Sequence, residues 1–257
     1  MNIYQHFRPE ERDFIDQVVD WKYNVESTYT PKLTDFLDPR EQQIVKTIIG
    51  EHGEVKVAFF GGVEKAERKR ALLSPDFYQE TKEDFQISLF EIHYPSKFVT
   101  IEHRQVLGSL MSIGLKRGKF GDILFHGDTV QFFAAKEIDG YIRMELQSIG
   151  RAQVRINEIP FEKVVKVEEV WQDLSMTCSS LRLDVLVSTA YPLSRQKAQV
   201  IIGQGLVKVN WTVIESSSFE CGEGDTLSVR GFGRVKIDSI EGKTKKDKWR
   251  IIAKQQK

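Results

Sequence analysis

The segment Leu181–Asn210 constrains the fold more than any other part of the chain, because two helix signals and a strand signal follow one another within it. Apolar residues at helical spacing predict a first helix, which Tyr191-Pro192 ends. Ser194 stands where the N-cap of a second helix is expected, and two glycines mark the end of that helix. The alternation in Val207–Val209 is typical of a strand. The segment therefore predicts two short helices packed on a strand.

Four basic side chains fall at the predicted helix starts and on the strand: Arg182, Arg195, Lys197 and Lys208. Helix N-termini present unpaired amides that favour anions, and clustered cations bind nucleic-acid phosphates. We therefore expect these four side chains to converge on a phosphate-binding surface.

This segment resembles the small RNA-binding domain first recognised in the fourth protein of the small ribosomal subunit, which also occurs in pseudouridine synthases and bacterial tyrosyl-tRNA synthetases. The resemblance is carried in order by Arg182-Leu183-Asp184, Ser194-Arg195, Gly205–Asn210 and Gly224-Asp225. It covers residues 181–237 and departs at Trp211, where many members have glycine.

The predicted RNA-binding residues are Arg182, Ser194, Arg195, Lys197, Lys208 and Asn210, together with Arg230 and Arg234 as charge at the domain edge. Ser194 has the alternative role of a helix cap, and Asn210 that of a turn residue. The run Arg230–Val235 imitates a ribonucleoprotein signature, but it falls where the last strand of the small domain is expected.

Length and composition favour a globular protein of two or three domains, since 257 residues exceed what one small core needs. No apolar run approaches the roughly 20 residues of a membrane-spanning helix, and the first residues do not resemble a secretory signal. Cys178 and Cys221 lack metal-site spacing. We expect a cytoplasmic protein.

The charge is balanced overall but unevenly placed. From Leu181 onward there are 14 Lys and Arg against 8 Asp and Glu, whereas the first 180 residues have 23 against 29. The stretch Gly242–Lys257 has seven basic residues and one acid. A mildly acidic body with a basic C-terminal end indicates a protein that meets RNA at that end.

Residues 1–75 are predicted to form a small N-terminal α/β domain. One helix begins near Pro9, and a second is capped by Asp38 and stopped by Gly50. Val55–Phe60 is predicted as a strand and Val63–Leu73 as a charged helix. The basic residues of that last helix, Arg68, Lys69 and Arg70, are either a solvated face or a contact for RNA or protein.

Residues 76–172 are predicted to form a central α/β-plait domain, with the element order β-α-β-β-α-β of ferredoxin-like and RNA-recognition-motif folds. Gly127-Asp128 is expected to join its central hairpin, Glu137–Ile149 to form its second helix, and Val164–Val170 to continue the sheet or form a linker strand. Lys116, Arg117 and Lys119 form a possible second phosphate patch. Gln172–Ser180 is the expected boundary, followed by the C-terminal small RNA-binding domain with its basic tail at 180–257. The predicted fold class is α+β.

Over nearly its full length the chain is similar to the bacterial YlmH family. The residues that carry this likeness are Phe36–Gln42, Phe59–Leu73, His103–Ile123 and Gly150–Val154. The resemblance implies a bacterial, cytoplasmic factor that binds rRNA or tRNA on the large ribosomal subunit, in the quality control of stalled peptidyl-tRNA complexes.

The sequence favours a non-enzymatic protein without metal, cofactor, small-molecule substrate or membrane partner, since the histidines lack ligand spacing and no nucleophile motif stands out. Two alternatives remain. One is an RNA-modifying enzyme of the pseudouridine-synthase type, with Asp184 as its candidate catalytic residue, and the other is a scaffold for cell-division proteins.

Overall fold

The computed structural model describes Tyr4, Phe7, residues 9–166 and residues 171–256, with only the backbone at Glu10. The chain divides into two compact units, Met1–Val167 and Glu168–Lys257. Both units combine helices with antiparallel sheets, so the predicted α+β class is confirmed. The first unit covers the predicted 1–75 domain and nearly all of the predicted 76–172 domain.

The helices of the first unit are α1 (Arg12–Thr28), α2 (Pro39–Ile49), α3 (His103–Ser112) and α4 (Asp139–Glu145). Its strands are β1 (Lys32–Leu37), β2 (Val55–Phe60), β3 (Lys69–Pro75), β4 (Ile87–His93), β5 (Phe120–His126), β6 (Thr129–Ala135), β7 (Ser148–Ile149), β8 (Ala152–Gln153) and β9 (Arg155–Ile159). In the second unit the elements are β10 (Trp171–Cys178), α5 (Leu183–Ala190), α6 (Arg195–Gly203), β11 (Val207–Val209), β12 (Thr212–Val213), β13 (Thr226–Val229), β14 (Gly233–Lys243) and β15 (Trp249–Gln256).

The predicted start of α2 is confirmed by a complete capping box. The Glu41 amide donates to the Asp38 carboxylate at 2.9 Å, and the Asp38 amide donates to the Glu41 carboxylate at 2.7 Å. Two N-terminal amides that would otherwise lack partners are thereby satisfied, so the helix begins at Pro39. Gly50 ends it, as expected.

The prediction that Val63–Leu73 forms a helix is wrong. Residues 61–68 form turns, and the following residues form β3, the central strand of a sheet with the order β1-β3-β2. Ala71 and Leu73 lie in the core beneath α1 and α2, while Leu72 packs into the core of the central sheet. A strand with both faces covered needs consecutive apolar residues, and this burial outweighs the helix propensity of the preceding charged residues.

The central sheet confirms the predicted β-α-β-β-α-β order, with the strand order β5-β6-β4-β9 and all pairs antiparallel. Gly127-Asp128 joins β5 to β6, as expected. The predicted helix Glu137–Ile149 is too long, because α4 ends at Glu145 and the chain then turns at Gly150, where φ is +58°. A glycine accepts that conformation without a Cβ clash.

The centre of the face of the central sheet opposite α3 and α4 is buried within the first unit, whereas His93, Arg155 and Asn157 towards its β9 edge are exposed. Phe133 is fully buried there, and Phe161 stacks on it with ring centroids 6.0 Å apart. The Gln131 side chain accepts from the amide of Val165 at 2.9 Å and so fixes the chain that crosses the sheet. Gly62 also lies against Phe133. The centre of the face on which a plait domain would stack bases is therefore covered.

Two of the three basic residues proposed as a second phosphate patch, Arg117 and Lys119, serve internal contacts, while Lys116 is exposed. Lys119 pairs with Asp35 at 2.7 Å and with Glu137 at 3.0 Å, and Arg117 donates to backbone carbonyls of β5. Arg70 is buried and also pairs with Glu137, at 3.2 Å. These contacts join the N-terminal sheet to the central sheet, which is why the expected patch is not available as a whole.

The second unit is a six-stranded antiparallel sheet, with the order β10-β15-β14-β13-β11-β12, and α5 and α6 pack on one of its faces. Gln172–Ser180 was expected to be the boundary between domains. Most of it belongs instead to β10, a strand of the second unit that pairs with β15 over eight residue pairs. Most of Val164–Val170 lies outside the described residues, and 164–166 belong to no strand or helix.

Within the described part of the chain, none of the helices is long and apolar enough to cross a membrane.

Candidate nucleic-acid interface

Asp184 lies at the centre of the junction between α5 and α6. Its side chain is fully buried, yet its carboxylate accepts hydrogen bonds from side chains on both helices. Arg182 and Arg195 donate to it at 3.2 and 2.9 Å, and Gln199 donates at 2.8 Å. Buried carboxylates persist in folded proteins when they are paired and hydrogen-bonded in this way. Asp184 thus orients two arginine side chains that are themselves about half exposed.

The sequence places these groups by simple helix geometry. Arg195 and Gln199 are four positions apart, so both side chains lie on the face of α6 that meets α5. Ser194 caps α6 by accepting from the amide of Lys197 at 3.2 Å, which confirms its predicted capping role. The first turn of α6 contains no acidic residue, so Arg195 and Lys197 add to the positive end of the helix dipole.

The surroundings of Asp184 lower its pKa. Burial alone would raise the pKa, but the hydrogen bonds from Gln199, Arg182 and Arg195, together with the charge of Arg195, outweigh it and bring the pKa to about 2. The carboxylate therefore stays ionised and paired at neutral pH. A fully buried, ionised and triply bonded carboxylate is poorly placed to act on a substrate.

A first prediction follows for acid stability. Because the folded pKa of Asp184 lies near 2, below the unfolded value of about 3.9, this carboxylate stabilises the fold above about pH 4. The contribution should disappear as the pH falls from about 4 towards 2. Hydrogen exchange of amides in α5 and α6 across this range should show the loss. The Asp184→Asn variant should lack this part of the pH dependence, and an unchanged profile in that variant would contradict the assignment.

The four cations expected to converge do so only in part. Arg182 and Arg195 meet at Asp184. Lys197 is exposed, but it lies two positions beyond Arg195 and so about 200° around α6. Lys208 is exposed between two buried valines of β11, which places it on the face of the sheet away from the helices. We call Arg182, Arg195 and Lys197 the helical face.

Asn210 and its neighbour form the turn between β11 and β12. Both Asn210 and Trp211 have positive φ, +47° and +66°, which is the pattern of a type I′ hairpin turn. The turn is kept although Trp211 replaces the usual glycine. The side-chain nitrogen of Asn210 donates to the Asp225 carboxylate at 2.6 Å, and its side-chain oxygen accepts from the backbone amide of Thr226 at 2.9 Å. Asn210 therefore ties this turn to Gly224-Asp225, in agreement with the turn alternative.

The run Arg230–Val235 forms the turn and strand start between β13 and β14, with positive φ at Gly231 and Gly233. Its aromatic residue, Phe232, packs edge-on against Tyr191 with ring centroids 5.9 Å apart. An aromatic in this turn does not form the flat strand platform of a ribonucleoprotein signature. Arg230 is exposed beside the turn, and Arg234 is half-buried on β14.

Sequence reasoning missed Gln199, which completes the shell of donors around Asp184. Its spacing of four positions from Arg195 was the available signal, but only the packing of α5 on α6 shows what the shared face meets. Among the described residues no cluster of His, Cys, Asp and Glu is suited to a metal ion. Cys178 and Cys221 are free and buried.

Comparison with known families matches three segments of the chain. A model described as "YlmH, N-terminal" matches residues 10–78, "Putative RNA-binding domain in YlmH" matches 80–163, and "S4 domain" matches 181–227. "Ribosome-associated protein quality control protein P2" of Bacillus subtilis (strain 168) is 47% identical over 259 residues, which cover 100% of this chain and 99% of the relative. The chain belongs to the YlmH family. The predicted resemblance is thereby confirmed.

A solved structure supports the same assignment. "Cell division protein ylmH from Streptococcus pneumoniae" is 36% identical and aligns with a TM-score of 0.55, covering 64% of this chain and 100% of that one. The S4-domain match of this YlmH-family chain contains Arg182, Asp184, Arg195 and Gln199.

Proposed function

We propose that this protein is a non-enzymatic RNA-binding factor that associates with the ribosome in the cytoplasm. In this proposal it binds rRNA or tRNA on the large subunit and acts in the quality control of stalled peptidyl-tRNA complexes. The proposal is supported by the S4-domain match and by the name of the Bacillus relative, which describes that protein as ribosome-associated and as a quality control protein.

The observation that carries the proposal is the arrangement around the start of α6. Two exposed cations, Arg195 and Lys197, stand in a first turn without acids, and Asp184 holds Arg182 beside Arg195. The dipole of α6 and these cations attract the same kind of group, an anion such as a phosphate. The guanidinium groups are oriented before any ligand arrives, which lowers the entropy cost of binding.

The central domain supports the proposal in a different way. The centre of its sheet face is covered by the loop at Gly62 and by Phe161, so base stacking in the manner of an RNA-recognition motif is not its mode of binding. In our proposal RNA affinity resides mainly in the C-terminal unit, while the first unit supplies ribosome contacts through other surfaces.

Charge reversal on the helical face tests the proposal. The variant Arg195→Glu with Lys197→Glu is expected to lose co-sedimentation with purified large ribosomal subunits, with an affinity at least about 100-fold lower at near-physiological salt. The reason is that two phosphate contacts are replaced by two repulsions. The control is Lys46→Glu with Lys65→Glu, which makes the same charge change on α2 and on the loop after β2. This variant should sediment like the wild type.

Unchanged co-sedimentation of the helical-face variant would refute the proposal. Association with partner proteins that survives nuclease treatment would instead favour the cell-division scaffold. The pseudouridine-synthase alternative predicts uridine isomerisation that is lost in Asp184→Asn. The burial of Asp184 opposes that alternative.

A further inference from the structure

The sheet of the second unit has a face that points away from α5 and α6, which we call the outer face. The side chains on the opposite face, among them Val209, Leu227, Val235 and Ile251, are buried in the core with the helices. Because side chains alternate along a strand, their neighbours project outward. The outer face is lined by basic and small polar residues together with two acids: Lys208, Thr226, Ser228, Arg234, Lys236, Asp238, Arg250, Ile252 and Lys254, and on β10 Asp173, Ser175 and Thr177.

The strand register arranges the basic residues of this face in rows. Lys208 lies opposite Ser228, and Ser228 lies opposite Arg234. In the next row Lys236 lies opposite Lys254. Neighbouring strands are about 4.8 Å apart and residues two apart on a strand about 7 Å, so cations recur about every 5–10 Å across the face. That spacing suits successive phosphates of an RNA backbone.

The charge on this face is only partly balanced by the fold. Lys254 pairs with Asp238 at 2.9 Å, and Arg250 lies 3.9 Å from Glu241. For Lys208 and Lys236 no ion pair is formed within the described residues. Lys236 lies directly across from Lys254, whose charge is offset by Asp238 and by Asp173 opposite it on β10. The basic charge that this face leaves for a polyanion is therefore mainly that of Lys208 and Lys236.

The residues between the cations are small and polar. Ser228 lies between Lys208 and Arg234 in one row and Thr226 beside Lys236 in the next, so this part of the face is flat and its hydroxyl groups can donate to phosphate oxygens. In the β14–β15 hairpin Lys243 lies over the Trp249 ring, 5.3 Å from its centroid, and this pair belongs to the opposite face because Trp249 packs against the core beneath the helices. The tip, residues 244–248, adds three exposed lysines and one aspartate.

We propose that the outer face is a second RNA-binding surface, which binds a phosphate backbone through Lys208, Lys236 and the adjacent hairpin. This inference rests on the proposed RNA-binding function and extends it. Since the helical face lies on the opposite side of the same sheet, one small domain then holds two RNA segments at once, one on each side. Recognition is by phosphate position rather than by base.

The experiment compares three double variants of the full chain for binding to purified large ribosomal subunits over a range of KCl concentrations. They are Lys208→Gln with Lys236→Gln on the outer face, Arg195→Gln with Lys197→Gln on the helical face, and Lys46→Gln with Lys65→Gln as a control of equal charge loss on the first unit. The outer-face variant should bind about tenfold more weakly at near-physiological salt, with a log-salt slope smaller by about 2. The control should match the wild type.

A second readout tests simultaneous binding. Wild-type protein bound to an immobilised tRNA should capture a second, fluorescently labelled tRNA, whereas the outer-face and helical-face variants should each fail to do so. Loss of subunit affinity in the helical-face variant alone would overturn the second surface and leave the proposed function standing. Loss in neither variant would overturn both. Circular dichroism of the outer-face and control variants, whose substituted side chains are exposed, should match that of the wild type, and Lys208→Arg with Lys236→Arg should restore binding.

Discussion

Replacing Asp184 with alanine is expected to lower the free energy of unfolding of the second unit by about 2–3 kcal/mol. The change removes a fully buried carboxylate and leaves Arg182, Arg195 and Gln199 without their shared acceptor. The two guanidinium groups would then repel each other across the α5–α6 junction. The expected cost is below that of a wholly buried ion pair, because both arginines reach solvent.

Urea titration followed by hydrogen exchange of residues 183–203 measures this effect. Because the chain has two compact units, exchange in α5 and α6 reports the second unit without assuming one global transition. Asp247→Ala is the matched control, since it removes an exposed carboxylate from the Lys243 pair at the hairpin tip and should change stability by less than about 1 kcal/mol. Equal effects of the two substitutions would show that Asp184 does not anchor the helices.

The Asp184→Ala variant should also weaken RNA binding even where the unit stays folded. The charge of the helical face becomes more positive, so a purely electrostatic surface would bind more tightly. Weaker binding would indicate that the orientation of Arg182 and Arg195 matters more than the added charge. Tighter binding would show that orientation by Asp184 is unimportant.

Replacing Gly62 with alanine is expected to destabilise the first unit by about 3–5 kcal/mol. The backbone there has φ of +98°, and an added Cβ would lie 2.3 Å from a ring carbon of Phe133. Phe133 is fully buried and stacked on Phe161, so it has no free space into which to move. The substitution thus combines backbone strain with overpacking.

Gly127→Ala separates these two causes. Gly127 also has positive φ, +56°, but a Cβ at that position would meet nothing within 4 Å. It should therefore show only the backbone cost, about 1 kcal/mol. Amide exchange in β4 and β6 during urea titration measures both variants. If Gly62→Ala were no worse than Gly127→Ala, the loop at Gly62 would not seal the central sheet.

The covered central sheet shows why element order alone does not assign function. The order β-α-β-β-α-β was readable from the sequence, and it matches a fold whose open face often binds RNA. Here Leu89 and Phe133 on that face are buried, and Gln131 holds the crossing chain in place. These contacts come from residues distant in sequence, so hydrophobic periodicity in the central segment could not reveal them.

Local signals in the sequence determined much of the C-terminal unit. The cap at Ser194 and the strand Val207–Val209 depend on residues within a few positions of each other, and all were predicted. The family resemblance was also available from short motifs. The β3 strand was not, because its conformation depends on burial of Ala71 and Leu73 beneath α1 and α2 rather than on the charged residues before it.

Only the tertiary structure decided which cations act together. From the sequence, Lys208 belonged with Arg182 and Arg195, since all three fall in one short segment. The register of β11 turns Lys208 to the outer face, whereas Asp184 gathers the two arginines on the helical face. The sequence determined caps, turns and family, because these depend on neighbours along the chain. The side of the sheet to which a charge projects depends on what packs beneath it, and that is set by residues far away.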